Sequence, residues 1–508
     1  MLSGSESSFI TDLIDLNTGF PTVVLHEDDA KALGVTFGSR VRVVKGDRSA
    51  TASVITSRTM VRRGSILVTP DLSSDLKLSR EDRVQVKPIS ITAGYMALQK
   101  RLRGERLDYD EMLAIVREVA TGSFSEAEIA TFLVSQLFVE LSEDELHNLI
   151  RAMVETGSKI VFEEPVYDVH SIGGVPGNGK VALLTVPIVA STGLLIPKTS
   201  SRAITSAAGT ADIVEVLARV EFTPSELKEI ALKTRGTLVW GGSLNLAPAD
   251  DIFVAIERKL NIDPWHQMVA SILAKKVAMD VSNLVVDIPV GRKAKVEDIR
   301  HAERLAGLFV NQAAKLNMNI KVAITYGGQP IGVTIGPALE AREALETLMN
   351  KSGRKSLVDK ALYLAGLILE LSGKVPHGAG FEVAKDLFMK GRAYDKFREI
   401  IEAQGGNPNV KPDDIPIGEH KAVLYSPAEG AVTHIDNGVL LAAARAAGAP
   451  FDKGAGIVLH AKIGYRVSKG DPLLTIYSSS SVRLESALNL LTMNPPIVVE
   501  GMLIKTYP

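Results

Sequence analysis

One stretch constrains this chain more than any other: Ile196-Pro-Lys-Thr-Ser-Ser-Arg-Ala-Ile-Thr-Ser-Ala-Ala-Gly-Thr-Ala-Asp-Ile-Val-Glu215. Its apolar start reads as the end of a strand, and Asp212 to Leu217 reads as a helix opening. Between them lie the hydroxyls of Thr199, Ser200, Ser201, Thr205, Ser206 and Thr210, the cations Lys198 and Arg202, and the small residues Ala203, Ala207, Ala208 and Gly209. Small side chains let backbone N–H groups approach a ligand, and a helix N-terminus adds a positive dipole end. Hydroxyls and cations add charge-assisted donors. A strand–loop–helix of this composition suits an anion, most often a phosphate.

The chain of 508 residues is long enough for roughly two to four domains. Acidic and basic side chains nearly balance, 59 against 57, so charge predicts neither nucleic-acid nor membrane partners. There is no cysteine, which excludes disulfides, thiolate catalysis and thiolate metal sites, and suits the cytoplasm. The first twenty residues lack a basic start followed by an apolar run, so no signal peptide is expected. The longest apolar stretch, 181–197, is broken by Pro187 and Gly193 and is too short to span a bilayer.

Residues 1–88 carry an internal repeat at a constant offset of 43, in which Leu25, Leu33, Val35, Val41 and Val43 match Val68, Leu76, Leu78, Val84 and Val86. Each half ends in alternating apolar residues, so the pair is expected to close into one β-rich, double-psi-like barrel. Residues 92–161 read as helical. Asp108 opens one helix, and Ser125/Glu128 and Ser142/Glu145 are capping boxes. Apolar residues follow at helical spacing at Leu133, Leu137 and Leu141. Residues 247–282 return to the helical lobe. Segments 162–246 and 283–410 read as an α/β lobe with a parallel sheet, including strands at 320–326 and 333–335, and ligands belong at the strand C-terminal ends. A polar, proline-containing linker at 404–416 leads to a β-containing C-terminal module at 418–508. Gly464 to Leu473 is similar to a strand–turn of barrel-sandwich modules, without the lysine of a swinging arm. Gly174-Val-Pro-Gly-Asn-Gly-Lys180 has P-loop spacing, but Val181 stands where a P-loop needs a hydroxyl for magnesium, so this turn is expected to face phosphate or ribose instead.

The run Ser200-Ser-Arg-Ala-Ile204 with Ala208-Gly-Thr-Ala-Asp212 and Glu215 resembles the long signature of the thymidine and pyrimidine-nucleoside phosphorylases. His170-Ser-Ile-Gly-Gly174, Leu246-Ala-Pro-Ala-Asp250 and Ala270-Ser-Ile-Leu-Ala-Lys-Lys276 follow that family's other blocks in order. The resemblance runs from about Gly94 to the C-terminus, and it extends to the archaeal AMP phosphorylase branch, which carries an extra N-terminal domain. It implies an α/β fold of the class II nucleoside phosphorylase type and phosphorolysis of nucleoside 5′-monophosphates (AMP, also CMP and UMP). The alternative it leaves is a phosphorylase of unphosphorylated pyrimidine nucleosides. Inorganic phosphate would be co-substrate, with no cofactor and no metal, and the enzyme would be a homodimer that assembles further.

The resemblance also implies residue roles. Ser171, Ser200 and Thr210 would contact phosphate, and Gly174 would allow close backbone approach. Ser201, Arg202, Ala203, Ile204, Thr205 and Ser206 would wrap the nucleotide. Ser271 and Lys295 would contact base or nucleotide, and Lys275 the base. Asp263 stands where the AMP branch carries its proton donor. To remain protonated it needs burial or a neighbouring carboxylate. Two departures count against thymidine. The lysine that precedes the histidine in thymidine phosphorylases is Val169 here, so Lys198 or Lys180 would have to supply that charge. Their thymine-binding arginine also has no clear counterpart before Asp263. Arg202, Lys198 and Lys295 are therefore the candidates for the added 5′-phosphate.

Overall fold

The computed structural model describes residues 7–89, 91–203 and 206–501. The chain divides into two compact units, 1–156 with 248–267 and 157–247 with 268–508.

The first unit begins with a closed six-stranded barrel, in the order Ser7–Leu13, Ser65–Val68, Thr22–His26, Arg48–Ser57, Arg40–Lys45, Arg83–Pro88. The repeat is visible in every layer. Helices Glu27–Leu33 and Pro70–Leu76 stand 43 residues apart, and Leu25, Leu33, Val41 and Val43 share one core with Val68, Leu76, Val84 and Val86. The repeating unit also includes a strand that the sequence pattern does not display. Ser7–Leu13 runs parallel to Ser65–Val68, as Arg48–Ser57 does to Thr22–His26, so each half completes the other. Both helices end on a left-handed residue, Gly34 at φ 69° and Lys77 at φ 48°.

Helices Ala93–Leu102, Tyr109–Ala120, Glu126–Phe138, Glu143–Glu155 and Pro248–Leu260 form the rest of this unit. The capping boxes at Ser125/Glu128 and Ser142/Glu145 are formed, with a third at Asp108/Glu111. The expected Leu133-Leu137-Leu141 stripe does not hold. The helix ends at Phe138, and Leu137 and Phe138 are exposed while Leu133 and Leu141 are buried. Arg40 of the barrel bonds Glu128 at 2.8 Å and lies over the ring of Phe124, which ties the barrel to these helices.

In the second unit, strand Val281–Val290 lies between Asn319–Tyr326 and Val166–Ser171, all parallel. A second parallel pair, Ile196–Ser200 with Gly236–Trp240, joins through a bridge between Val166 and Leu195. Val286 and Ile288 of the central strand are fully buried. The apolar 181–197 run is a helix followed by a strand. Val181–Ala190 accommodates Pro187 in its last turn and is buried almost throughout. The 333–335 segment is not part of the parallel sheet. Thr334–Ile335 pairs antiparallel with Gly456–Leu459, in a sheet completed by Pro472–Ser478 and His420–Tyr425. So short an apolar run carries no sign of its partner, and the partner lies more than a hundred residues on. The remaining C-terminal strands, Gly430–Ile435, Arg466–Val467 and Ile497–Glu500, form a three-stranded sheet beside helices Asn437–Ala446 and Ser481–Met493. Among the described residues, no helix is long and apolar enough to cross a membrane.

Candidate active site

The parallel strands end on one side, and three loops meet there. After Ser171 the chain turns through Gly173 and Gly174 and enters a short 3-10 turn at Asn178–Lys180. After Ser200 it runs into the hydroxyl-rich loop, which closes at helix Thr210–Val214. After Val290 it turns through 291–295. The first two loops touch where Thr210 Oγ1 donates to the Gly179 carbonyl at 2.8 Å. The first and third touch at Gly174, where an added Cβ would come within 2.6 Å of Lys295 Cγ and 2.8 Å of its backbone N. Gly174 also has φ +87°, so glycine is required there twice over.

The hydroxyl-rich loop is tied at both ends by one carboxylate. Asp212 Oδ2 accepts from Ala203 N at 2.7 Å and from Gly209 N at 3.0 Å. At Gly209 a Cβ would lie 2.4 Å from the Ser201 carbonyl, so the loop folds back on itself only through glycine. Ser171 Oγ accepts from Asn178 Nδ2 at 2.8 Å and Ser200 Oγ donates to the Val239 carbonyl at 3.1 Å. Ser206 Oγ donates to the Ala208 carbonyl, and Ser201 is exposed. Ile204 and Thr205 lie outside the described residues.

Beneath this edge is a buried charge cluster. Asp168 is 1% exposed and lies 2.6 Å from Lys276 Nζ and 3.6 Å from Lys198 Nζ, both of them buried. Lys198 also donates to the Thr199 carbonyl at 2.7 Å, and Lys276 reaches Thr199 Oγ1 at 3.4 Å. Burial lowers the Lys198 ammonium to about 7, against the pull of Asp168 and with the push of Lys276. His170 is held well below its ordinary value, first by burial and then by Lys276, Lys198, Lys275 and Lys295. Lys198 and Lys276 are both buried beside Asp168, with Lys275 half-buried and Lys295 exposed further out, and this surplus of positive charge favours an anion.

The other candidates are placed as follows. Arg202 is engaged by carboxylates: it forks onto Glu215 at 2.7 and 2.7 Å, meets Glu221 at 2.9 Å and lies over Trp240. Lys180 is not the missing phosphate-site cation. It is fully buried, donates to Thr334 O and Oγ1 at 2.7 and 2.9 Å, and pairs with Glu343 at 2.9 Å. Ser271 and Lys275 are half-buried, one turn apart on helix Trp265–Ala278, and Lys295 is exposed with Nζ 4.0 Å from Met268 Sδ. Asp263 belongs to the first unit, in the connection before Pro264, and is exposed, so the burial asked of it is not present here. Sequence reasoning missed Asp168, Lys276, Asp212 and Asn178. An aspartate in the middle of a buried strand was the available signal.

Family models match the three parts of this architecture. The glycosyl transferase family helical bundle domain matches residues 95–157, the glycosyl transferase family a/b domain matches 163–394, and the pyrimidine nucleoside phosphorylase C-terminal domain matches 431–497. Anthranilate phosphoribosyltransferase from Thermus thermophilus has a similar fold, with a TM-score of 0.52 at 19% identity over 61% of this chain and 99% of that one. The class is therefore a glycosyltransferase of the helical-bundle and a/b type. Full-length similarity narrows it. AMP phosphorylase of Hyperthermus butylicus is 55% identical over 97% of this chain and 98% of its own length. AMP phosphorylases of Pyrococcus furiosus and Methanosarcina acetivorans are 46% and 44% identical, each over 97% of this chain. The chain belongs to the AMP phosphorylase family.

Proposed function

We propose that the chain catalyses the phosphorolysis of AMP, and by the same chemistry of CMP and UMP. A phosphate oxygen attacks the anomeric carbon, the bond to the base nitrogen breaks with its electron pair leaving on the base, and a proton reaches the base. The products are free base and ribose 1,5-bisphosphate. The observation that carries this reading is the full-length similarity to AMP phosphorylases, joined to a strand-end site with excess buried positive charge.

In this reading Ser171, Ser200 and Thr210 hold the attacking phosphate, with Lys198 and Lys276 supplying charge from beneath. Gly174 allows close backbone approach, and the 201–206 segment wraps the nucleotide. Arg202 braces the loop through Glu215 and Glu221. Lys295 meets the nucleotide's 5′-phosphate, Ser271 and Lys275 meet the base, and the resemblance gives Asp263 the part of proton donor, for which bound substrate would have to bury it. The anomeric carbon gains oxocarbenium character as the base departs, so a fixed phosphate on the opposite face both stabilises that charge and excludes water. The enzyme acts in the cytoplasm as a homodimer that assembles further.

The test is a product assay with AMP and with adenosine, each with and without phosphate. Base release from AMP alone, and only when phosphate is present, is expected. Release from uridine or thymidine with AMP inert would move the chain to nucleoside phosphorolysis.

A further inference from the structure

We propose that Lys453, on the C-terminal module, is a positioning residue that sets the hydroxyl-rich loop for phosphate. The inference rests on the assignment of that loop to phosphate. Its starting point is Asp212, whose Oδ2 ties both ends of the loop through Ala203 N and Gly209 N. The other oxygen, Oδ1, faces Lys453 Nζ at 3.2 Å, and the same ammonium reaches Glu215 Oε2 at 2.8 Å. Glu215 is the carboxylate that grips Arg202. One cation from the C-terminal module therefore meets both carboxylates that hold the loop.

Lys453 is itself held on a fixed platform. Its carbonyl accepts from Ala338 N at 3.0 Å, at the start of helix Pro337–Asn350. Two residues on, the Ala455 carbonyl lies 2.3 Å from where a Gly336 Cβ would stand, and a Cβ on Gly456 would lie 2.1 Å from the Ile335 carbonyl. The two backbones are in close contact there, so the Lys453 side chain reaches the loop from a packed segment. Without it, Arg202 is the cation that still meets Asp212, Glu215 and Glu221.

The Lys453 ammonium is over a third exposed, and without it buried Asp212 keeps Arg202 and two backbone N–H donors, so the effect on the loop is separable from folding. The experiment compares Lys453→Met and Lys453→Arg with Ser200→Ala and Thr210→Ala in the full-length chain. It reads KM for phosphate, KM for AMP, kcat and Tm. Lys453→Met is expected to raise the phosphate KM by roughly 5-fold, the loss of one charge-assisted contact acting indirectly, with Tm and the AMP KM unchanged. Lys453→Arg should restore it. If Ser200→Ala and Thr210→Ala raise the phosphate KM while Lys453→Met does not, the inference is overturned and the phosphate assignment stands. A Lys453→Met variant that loses Tm and raises both KM values together would show a merely structural contact and overturn it too. If Ser200→Ala and Thr210→Ala leave the phosphate KM unchanged, the phosphate assignment falls and the inference falls with it.

Discussion

Asp168→Asn is the sharpest perturbation of the buried cluster. It keeps the shape and removes the one carboxylate that lies 2.6 Å from Lys276 and 3.6 Å from Lys198. Taking one partner from a buried pair costs about 3–5 kcal/mol, because the remaining charge is left uncompensated. For a unit of this size that is roughly 10 °C in Tm. The deficit carries a pH signature. A lysine whose folded pKa is depressed destabilises in full below that pKa, and the cost fades as pH rises towards its ordinary value. Lys198 stands at about 7 with Asp168 present, and without it falls lower. Near pH 6 the variant is therefore less stable by an added amount on the order of 1 kcal/mol, and by pH 9 this part of the deficit vanishes. The Asp168→Asn/Lys198→Met double variant should recover part of the loss, since contacting residues couple by about 0.5–3 kcal/mol. Thermal unfolding of wild type, Asp168→Asn, Lys198→Met and the double variant at both pH values measures all of this. A Tm within 2 °C of wild type, or a double variant no better than Asp168→Asn, would refute the reasoning.

Three further outcomes are expected. Burial pushes the Glu340 carboxyl up to about 7, so it contributes stability below its ordinary 4.5 that is lost as pH rises through 7; Glu340→Gln should abolish this fall and be more stable than wild type at pH 8 by about 3 kcal/mol, read by denaturant titration. Lys77 holds the left-handed position that Gly34 fills in the other half of the barrel; Lys77→Gly should stabilise by about 0.5–1 kcal/mol and Gly34→Ala destabilise by about as much, measured by Tm. Gly174→Ala would drive a Cβ into Lys295 at φ +87°, and kcat/KM for AMP should fall roughly 100-fold.

The barrel was legible because its core repeats. The same apolar residue recurs 43 positions on wherever both halves face one interior. Its first strand escaped because Ser7–Leu13 and Arg48–Ser57 share a place in the pairing without sharing side chains. The loops of the site were legible for a related reason. Close backbone approach admits only small residues, and that demand is written locally at Gly174 and Gly209. Paired charges are different. Arg202 reads as an anion ligand until Glu215 and Glu221 are seen to reach it, and Lys180 reads as a phosphate cation until Thr334 and Glu343 enclose it. Asp168 and Lys276 lie on a strand and a helix more than a hundred residues apart, and only the fold makes them neighbours. Lys453 meets Asp212 across 241 positions for the same reason.

In the proposed reaction phosphate, and not water, takes the sugar from the base. Phosphorus-31 NMR of AMP with inorganic phosphate and enzyme tests it directly. One phosphate should disappear per base released, and a product with two phosphorus resonances, one anomeric and one at the 5′ carbon, should grow in. Ribose 5-phosphate appearing while inorganic phosphate stays constant would contradict the account.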